Sequence, residues 1–339
     1  YYIGAIGCLG EGSSNSLSKD TDMAIAIGTK LGDFTTGSWT NFQNPKFQLV
    51  SINTARFDVT KHRAIPIISD AKIGLKELSD VLGDWKAPNS WYQRAVKERK
   101  KWDAYVQKNC EPTNQETPSY AHAVGAIYRN ADVSDIVVTA AGGLVGEVVQ
   151  IWKPKQLNTF ETEWGFSCMG YEISGALGIK MAKPKQDVVV FVGDGSYLLH
   201  NSDIYSSVLY DKKLIIIVCD NGGHMVINRL QLAKGGKEYL CNLRAVGAKN
   251  MQFVDFEAHA KSMGANAETV KSVSELEAAF KRAKESKKTY VISIETHGYE
   301  WLEGSAFWES PTLEVHSTNE NKTAYEDFVD GKKKQRKGV

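Results

Sequence analysis

The sequence predicts an α/β protein made of three-layer domains, in which parallel sheets are covered by helices on both faces. Three observations predict it. The apolar runs at 135–139, 187–192, 214–219 and 290–294 are continuous rather than alternating, as in strands buried on both faces. Segments with apolar residues at helical spacing separate these runs. Two of the runs end in glycine-, aspartate- and asparagine-rich turns, at the strand ends where open α/β sheets hold their ligands.

Taken in order, residues 1–85 read as half of a doubly wound domain. Met23 to Ile27 is an apolar run ending at Gly28, with the character of a buried parallel strand, and 47–53 is a second. Ser69 or Asp70 can cap a following helix that would bury Leu75, Leu78 and Leu82. Glycines 4, 7, 10 and 12 have the density of a dinucleotide fingerprint. No strand precedes them and no acidic residue is placed for a ribose, so a glycine-rich connection is the better reading. Residues 86–116 read as a linker helix with Trp91, Ala95 and Trp102 on one face and solvated charges elsewhere.

Residues 117–298 form a second domain. Thr117 caps a helix with Pro118 at its first position, and 168–181 is a helix rich in small residues. A further helix covers 202–210. Ser274 with Glu277 makes a capping box ahead of a buried face of Leu276, Ala279, Phe280 and Ala283. Residues 299–339 are a tail with Trp301, Phe307 and Trp308, expected to dock on the body rather than close over a site. Its basic run of Lys332, Lys333, Lys334, Arg336 and Lys337 is expected to be solvated.

Composition narrows the function classes. The 339 residues are 42% hydrophobic and 24% charged, so large cores are affordable. A formal charge of +1 gives no global field toward nucleic acid or an anionic membrane, and neither partner is expected. No apolar run approaches the roughly 20 residues of a membrane helix. Cysteines 8, 110, 168, 219 and 241 contain no CxxC pair, which argues against zinc and for reduced thiols in the cytoplasm.

The chemistry concentrates at 188–196. A strand ends in Gly193-Asp194-Gly195-Ser196, whose glycines let backbone amides approach a phosphate. The next strand ends in Asp220-Asn221-Gly222-Gly223, one intervening helix later. The Asp194 carboxylate, the Asn221 amide oxygen and a backbone carbonyl, that of Gly223, suit octahedral magnesium completed by phosphate and water.

This pattern resembles the signature of thiamine-diphosphate enzymes of the acetolactate-synthase and pyruvate-decarboxylase superfamily, and 163–171 matches the segment that precedes it there. The resemblance implies that Met169 bends the cofactor, that the Ser167 carbonyl accepts from its 4′-amino group, and that Gly142 and Gly143 approach it. Gly193, Gly195, Ser196 and His224 complete the implied cofactor-binding set. Segments 33–38, 51–53, 57–58, 227–231 and 306–309 resemble the branch that opens cyclic 1,2-diketones in inositol catabolism. That branch implies a cyclic diketone substrate and hydrolytic C–C cleavage. His224 and Ser167 depart from the aromatic residue and the glycine common at those positions. Such enzymes have three domains and form dimers or tetramers. The resemblance therefore implies a middle-domain portion at 1–85 and a whole pyrophosphate-binding domain at 117–298. The glutamate that activates the cofactor would lie on a domain outside this chain, making it a fragment or, as the alternative, a split subunit. The catalytic residues within the chain are unknown. His200 and His224 are candidate proton shuttles, and Glu147, Glu161, Glu163 and Glu172 read as structural or substrate-side. A carboligase or 2-keto-acid decarboxylase of the same superfamily, and a non-catalytic cofactor-binding subunit, are the alternatives.

Overall fold

The computed structural model describes residues 1–247 and 252–336. The chain divides into two compact units, one formed by 1–105 with 303–339 and the other by 106–302.

The first unit contains α1 (Gly12–Asp20), β1 (Met23–Ile27), α2 (Asp33–Thr36), β2 (Gln48–Asn53), α3 (Arg56–Val59), β3 (Ile65–Ile68) and α4 (Ala71–Leu82), followed by most of α5 (Asn89–Asn109). Its sheet is parallel, in the order β1-β2-β3. Ala26, Leu31, Phe42, Phe47 and Leu49 form its core. Two expectations are corrected here. The Met23–Ile27 run is a parallel strand, but only Ala26 is buried, and Met23, Ile25 and Ile27 are 39–49% exposed. Asp70 does cap α4, accepting from the amides of Lys72 and Ile73, yet the helix buries only Gly74 and leaves Leu75 and Leu82 exposed. The reason is common to both: β1 and β3 are the two edges of a three-strand sheet, so they offer little surface to bury against.

The glycine-rich opening is a loop leading into α1, held by the buried Glu11 carboxylate. Glu11 accepts from the Ala5 amide at 3.2 Å and pairs with Arg99 at 2.7 Å. Trp102 is buried, and its indole fits only because Gly12 and Gly304 carry no side chain. The tail docks on this unit. The Trp308 indole donates to Asp33 at 3.2 Å and packs edge-on to Phe34. The last helix, α14 (Asn319–Lys333), lets Phe307 in at Gly331. Lys332, Lys333 and Lys334 of the basic run are exposed, as expected, while Arg336 is half-buried. Lys332 pairs with Glu309, and Arg336 covers the Phe47 ring while donating to the carbonyls of Phe42, Asn44 and Phe47. Lys337 lies outside the described residues.

The second unit contains α6 (Tyr120–Asn130), β4 (Ile136–Thr139), α7 (Gly142–Ile151), β5 (Phe160–Thr162), α8 (Tyr171–Ala182), β6 (Val188–Gly193), α9 (Asp194–Leu199) and α10 (Asp203–Leu209). It continues with β7 (Ile215–Asp220), α11 (Met225–Ala233), α12 (Phe256–Ser262), β8 (Asn266–Val270), α13 (Val273–Glu285) and β9 (Tyr290–Glu295). Its six strands are all parallel, in the order β5-β4-β6-β7-β9-β8. Every side chain from Ile215 to Cys219 and from Val188 to Val192 is fully buried, which explains why these runs do not alternate. One face packs Val188, Val190, Val192, Ile216 and Val218 against α8, α10 and α12 through Ile173, Ile204 and Phe256. The other is covered by α6, α7 and α13, whose Leu276, Ala279, Phe280 and Ala283 are fully buried. This is the three-layer architecture expected.

Several local assignments shift. Ser119, not Thr117, caps α6, in a reciprocal pair with His122. Ser272, not Ser274, caps α13 by accepting from Glu275 N. The helix placed at 168–181 starts at Tyr171, because Gly170 takes a left-handed conformation (φ +96°). Two short helices, not one, lie between Asp194 and Asn221. All five cysteines are free thiols.

At the amino ends of the strands, Lys284 Nζ lies 2.6 Å from Asp135, 2.9 Å from Asp132 and 3.0 Å from Asp187. The Asp135 side chain is 2% exposed, and burial pushes its pKa up against the pull of Lys284. Lys284→Met should cost about 3–5 kcal/mol in denaturant unfolding, since it strands a buried carboxylate. The deficit should shrink as pH falls, because protonation of Asp135 removes the uncompensated charge.

Candidate cofactor site

The site is built at the carboxyl ends of β4, β6 and β7. β6 and β7 pair in parallel with Gly193 opposite Cys219, so the residues just beyond, Asp194 and Asn221, emerge at one edge of the sheet. β4 lies on the other side of β6 and turns through Gly142 (φ +76°) into α7. From β4 the chain moves outward to β5, then returns through α8 to β6. The strand order reverses there, at the kind of crevice where such sheets bind ligands.

One cavity of about 200 Å³ occupies this crevice. Gly142, Gly143, Ser167, Met169, Gly193, Asp194, Gly195, Ser196, Asn221, Gly223 and His224, the full set singled out from the sequence, all line it. His200 does not: its ring faces Asp203 at 3.3 Å and is half-exposed.

Asp194 and Asn221 are each 5% exposed. Burial and the neighbouring Asp220 push the Asp194 pKa up, while hydrogen bonds from the amides of Gly195 and Gly223 pull it down. The Asn221 amide nitrogen donates to the Tyr120 hydroxyl at 2.6 Å. Its Oδ1 is buried and, among the described residues, has no hydrogen-bond partner. An orphaned amide oxygen lining the same crevice as a destabilised carboxylate is a donor set that a hard divalent cation would satisfy. The residues present therefore fit such an ion together with the phosphates it would bridge.

The glycines are required by close approach. A side chain at Gly195 would meet the His224 ring at 2.8 Å, and one at Gly223 (φ +140°) would meet the Cys241 carbonyl at 2.3 Å. The segment around Cys241 folds back along the Asn221 turn, with His224 N donating to Cys241 O and Leu243 N to Gly222 O, both at 2.8 Å. Glu163 organises the Ser167 loop by accepting from the amides of Phe166 (2.8 Å) and Cys168 (3.0 Å).

Sequence reasoning did not single out Tyr120, placed Trp301 only in a docking tail, and read Glu147 only as structural or substrate-side. Tyr120 anchors Asn221 across the cavity floor, and Trp301 lies against Gly143 and edge-on to Tyr120. Glu147 is buried one turn into α7 and accepts from the Leu302 amide at 2.8 Å. Only the helical spacing of Glu147 behind Gly142 and Gly143 hinted at its place; Tyr120 and Trp301 carried no signal.

A parallel three-layer domain with a cation- and phosphate-suited crevice at its switch point defines a class, and the comparisons agree with it. The model of the thiamine pyrophosphate enzyme C-terminal TPP binding domain matches residues 140–294, and that of the central domain matches residues 1–78. The chain belongs to the thiamine pyrophosphate enzymes. Within them it is similar to proteins named 3D-(3,5/4)-trihydroxycyclohexane-1,2-dione hydrolase. The protein of that name from Halalkalibacterium halodurans is 32% identical over 96% of this chain and 55% of its own length. That from Lacticaseibacillus casei is 32% identical over 97% and 55%, and that from Clostridium tetani 31% over 99% and 57%. The chain thus spans about half the length of the curated relatives it matches.

Burial raises the Glu147 pKa to about 7, against the lowering effects of the Leu302 amide and Arg229. The unfolded chain releases this proton near the ordinary glutamate value, while the fold holds it longer. This contribution to stability is therefore complete below about pH 4 and lost as pH rises through about 7. Glu147→Gln keeps an acceptor for Leu302 and removes the titration. The variant should match the wild type near pH 5 and exceed it by about 2–3 kcal/mol at pH 8, as read by denaturant midpoints.

Proposed function

We propose that this chain is the central and cofactor-binding part of a thiamine-diphosphate- and magnesium-dependent hydrolase that opens a cyclic 1,2-diketone, 3D-(3,5/4)-trihydroxycyclohexane-1,2-dione, in inositol catabolism. The observation that carries the cofactor reading is the convergence of Asp194, the orphaned Asn221 oxygen and the Met169 and Ser167 loop on one cavity. The names of the relatives support the substrate.

When bound, thiamine diphosphate supplies a carbanion and an electron sink for cleaving a bond next to a carbonyl. The protein's part is binding, orientation and exclusion of water. Asp194, Asn221 and the Gly223 carbonyl would hold magnesium, and the amides around Gly193, Gly195 and Ser196 would receive the diphosphate. Met169 would give the cofactor an apolar support, with Gly142 and Gly143 opening space beside it and the Ser167 carbonyl accepting from the aminopyrimidine. His224, an exposed ring at the cavity rim, is the candidate to move a proton to or from substrate. Exposed Trp164, Phe166, Leu199 and Tyr205 suit a homo-oligomer whose contacts cover the site. The free thiols fit a reducing compartment such as the cytoplasm.

Calorimetric titration of the full-length protein with thiamine diphosphate and magnesium tests the cofactor reading. Asp194→Asn should weaken magnesium-dependent cofactor binding about tenfold to a hundredfold while the protein stays folded. Near-normal affinity would sink the assignment. Ring opening of the dione tests the substrate, and turnover of pyruvate without ring opening would point instead to a decarboxylase or carboligase.

The role given to Met169 is packing. Met169→Leu conserves volume and should retain most turnover, whereas Met169→Ala should lower kcat much more than it weakens cofactor binding. Equal kcat in the two variants would remove Met169 from that role.

A further inference from the structure

Glu172 lies in the first turn of α8 and is 1% exposed. It does not line the cavity. Its two oxygens serve different parts of the chain: Oε1 accepts from the Ala141 amide at 3.2 Å, and Oε2 from the Gly170 amide at 2.8 Å. The nearby Ser196 hydroxyl favours the ionised form of the carboxyl group. Ala141 is the N-cap of α7, directly before Gly142 and Gly143. Gly170 directly follows Met169, and Ser196 follows Gly195 in α9.

A carboxyl group is costly to bury unless its oxygens are satisfied. The next residue along, Ile173, is fully buried in the core, as are Ala176 and, nearly so, Leu177, so an apolar side chain would suit the surroundings. Simple helix capping accounts for the contact with Gly170, which is local. It does not account for Ala141, on the turn after β4. The contacts with Ala141 and Gly170 together join two turns, one after β4 and one before α8, that the sheet alone leaves independent.

We propose that Glu172 is the positioning residue of the cofactor cradle, tying the turn after β4 and the turn before α8 into one rigid unit. The proposal rests on the cofactor reading above and deepens it. In that reading, Gly142 and Gly143 approach the ring system from the turn after β4, and Ser167 and Met169 from the turn before α8. A single buried side chain holding both sets fixes the spacing between them before the cofactor arrives, so less order has to be created on binding.

Glu172→Gln keeps the size of the side chain but sets an amide N–H against one of the two backbone donors, so one turn is released. In the full-length protein, amide exchange at 140–143 and 165–170 should quicken by about tenfold or more, while β6 and β7 keep their protection. Thiamine diphosphate, titrated with magnesium held constant, should bind about tenfold to a hundredfold more weakly. A purely structural role would lower the melting temperature but leave exchange at Ala141 and cofactor affinity unchanged in the folded protein, and that result overturns the proposal. Should the Gln variant fail to fold, Glu172→Asp keeps the charge but is too short to span both turns, and the same two readings apply. Failure of the wild-type protein to bind thiamine diphosphate would defeat the cofactor reading instead. Exchange at the two turns would then still decide whether Glu172 ties them together.

Discussion

The parallel pairing of β6 with β7, with Gly193 opposite Cys219, is the constraint on which the rest of the cofactor-binding unit depends. The two strands occupy the centre of the six-strand sheet and are fully buried along Val188–Val192 and Ile215–Cys219. A slip by one residue would separate Asp194 from Asn221 by a further strand rise and turn their side chains to the wrong faces. The aliphatic runs that fill both layers therefore also set the spacing of the polar residues at their ends.

Several polar groups around that edge are each assigned a partner by a different element. Tyr120 of α6 takes the Asn221 amide nitrogen, Glu172 of α8 takes amides of two turns, and Glu163 holds the loop that carries Ser167. Among the described residues a few buried side-chain atoms have no partner, Thr139 Oγ1 and Glu147 Oε2 among them, and of the cavity-lining residues Asn221 is the one that holds such an atom. In an interior where nearly every polar group is paired, an unpaired one among the cavity-lining residues signals a ligand more strongly than the cavity itself does.

The two units spend their apolar residues differently. In the second unit, helices cover both faces of six strands, and continuous apolar runs are buried throughout. In the first, three strands leave Met23, Ile25 and Ile27 of β1 and Leu75 and Leu82 of α4 exposed, although their spacing looks the same as that of core residues. Hydrophobic periodicity reports which face a residue shares. It says nothing about whether another layer is present to cover that face.

The sequence alone determined the parallel α/β class and the strand ends that carry Asp194 and Asn221. These signals are local: apolar runs and glycines at strand ends; the rest of the cavity-lining set, Gly142, Gly143, Ser167, Met169 and His224, came from the resemblance to thiamine-diphosphate enzymes. Helix starts were off by a few residues where competing caps stood close together, as with Ser119 against Thr117 and Ser272 against Ser274. Only the tertiary structure decided that His200 turns away to Asp203, that Tyr120 holds Asn221, and that Glu147 and Glu172 are buried clasps. Each of those facts joins residues far apart in the chain or sets the direction of a side chain. Such contacts arise when the sheet brings separate turns to one edge, and no local pattern of residues encodes them.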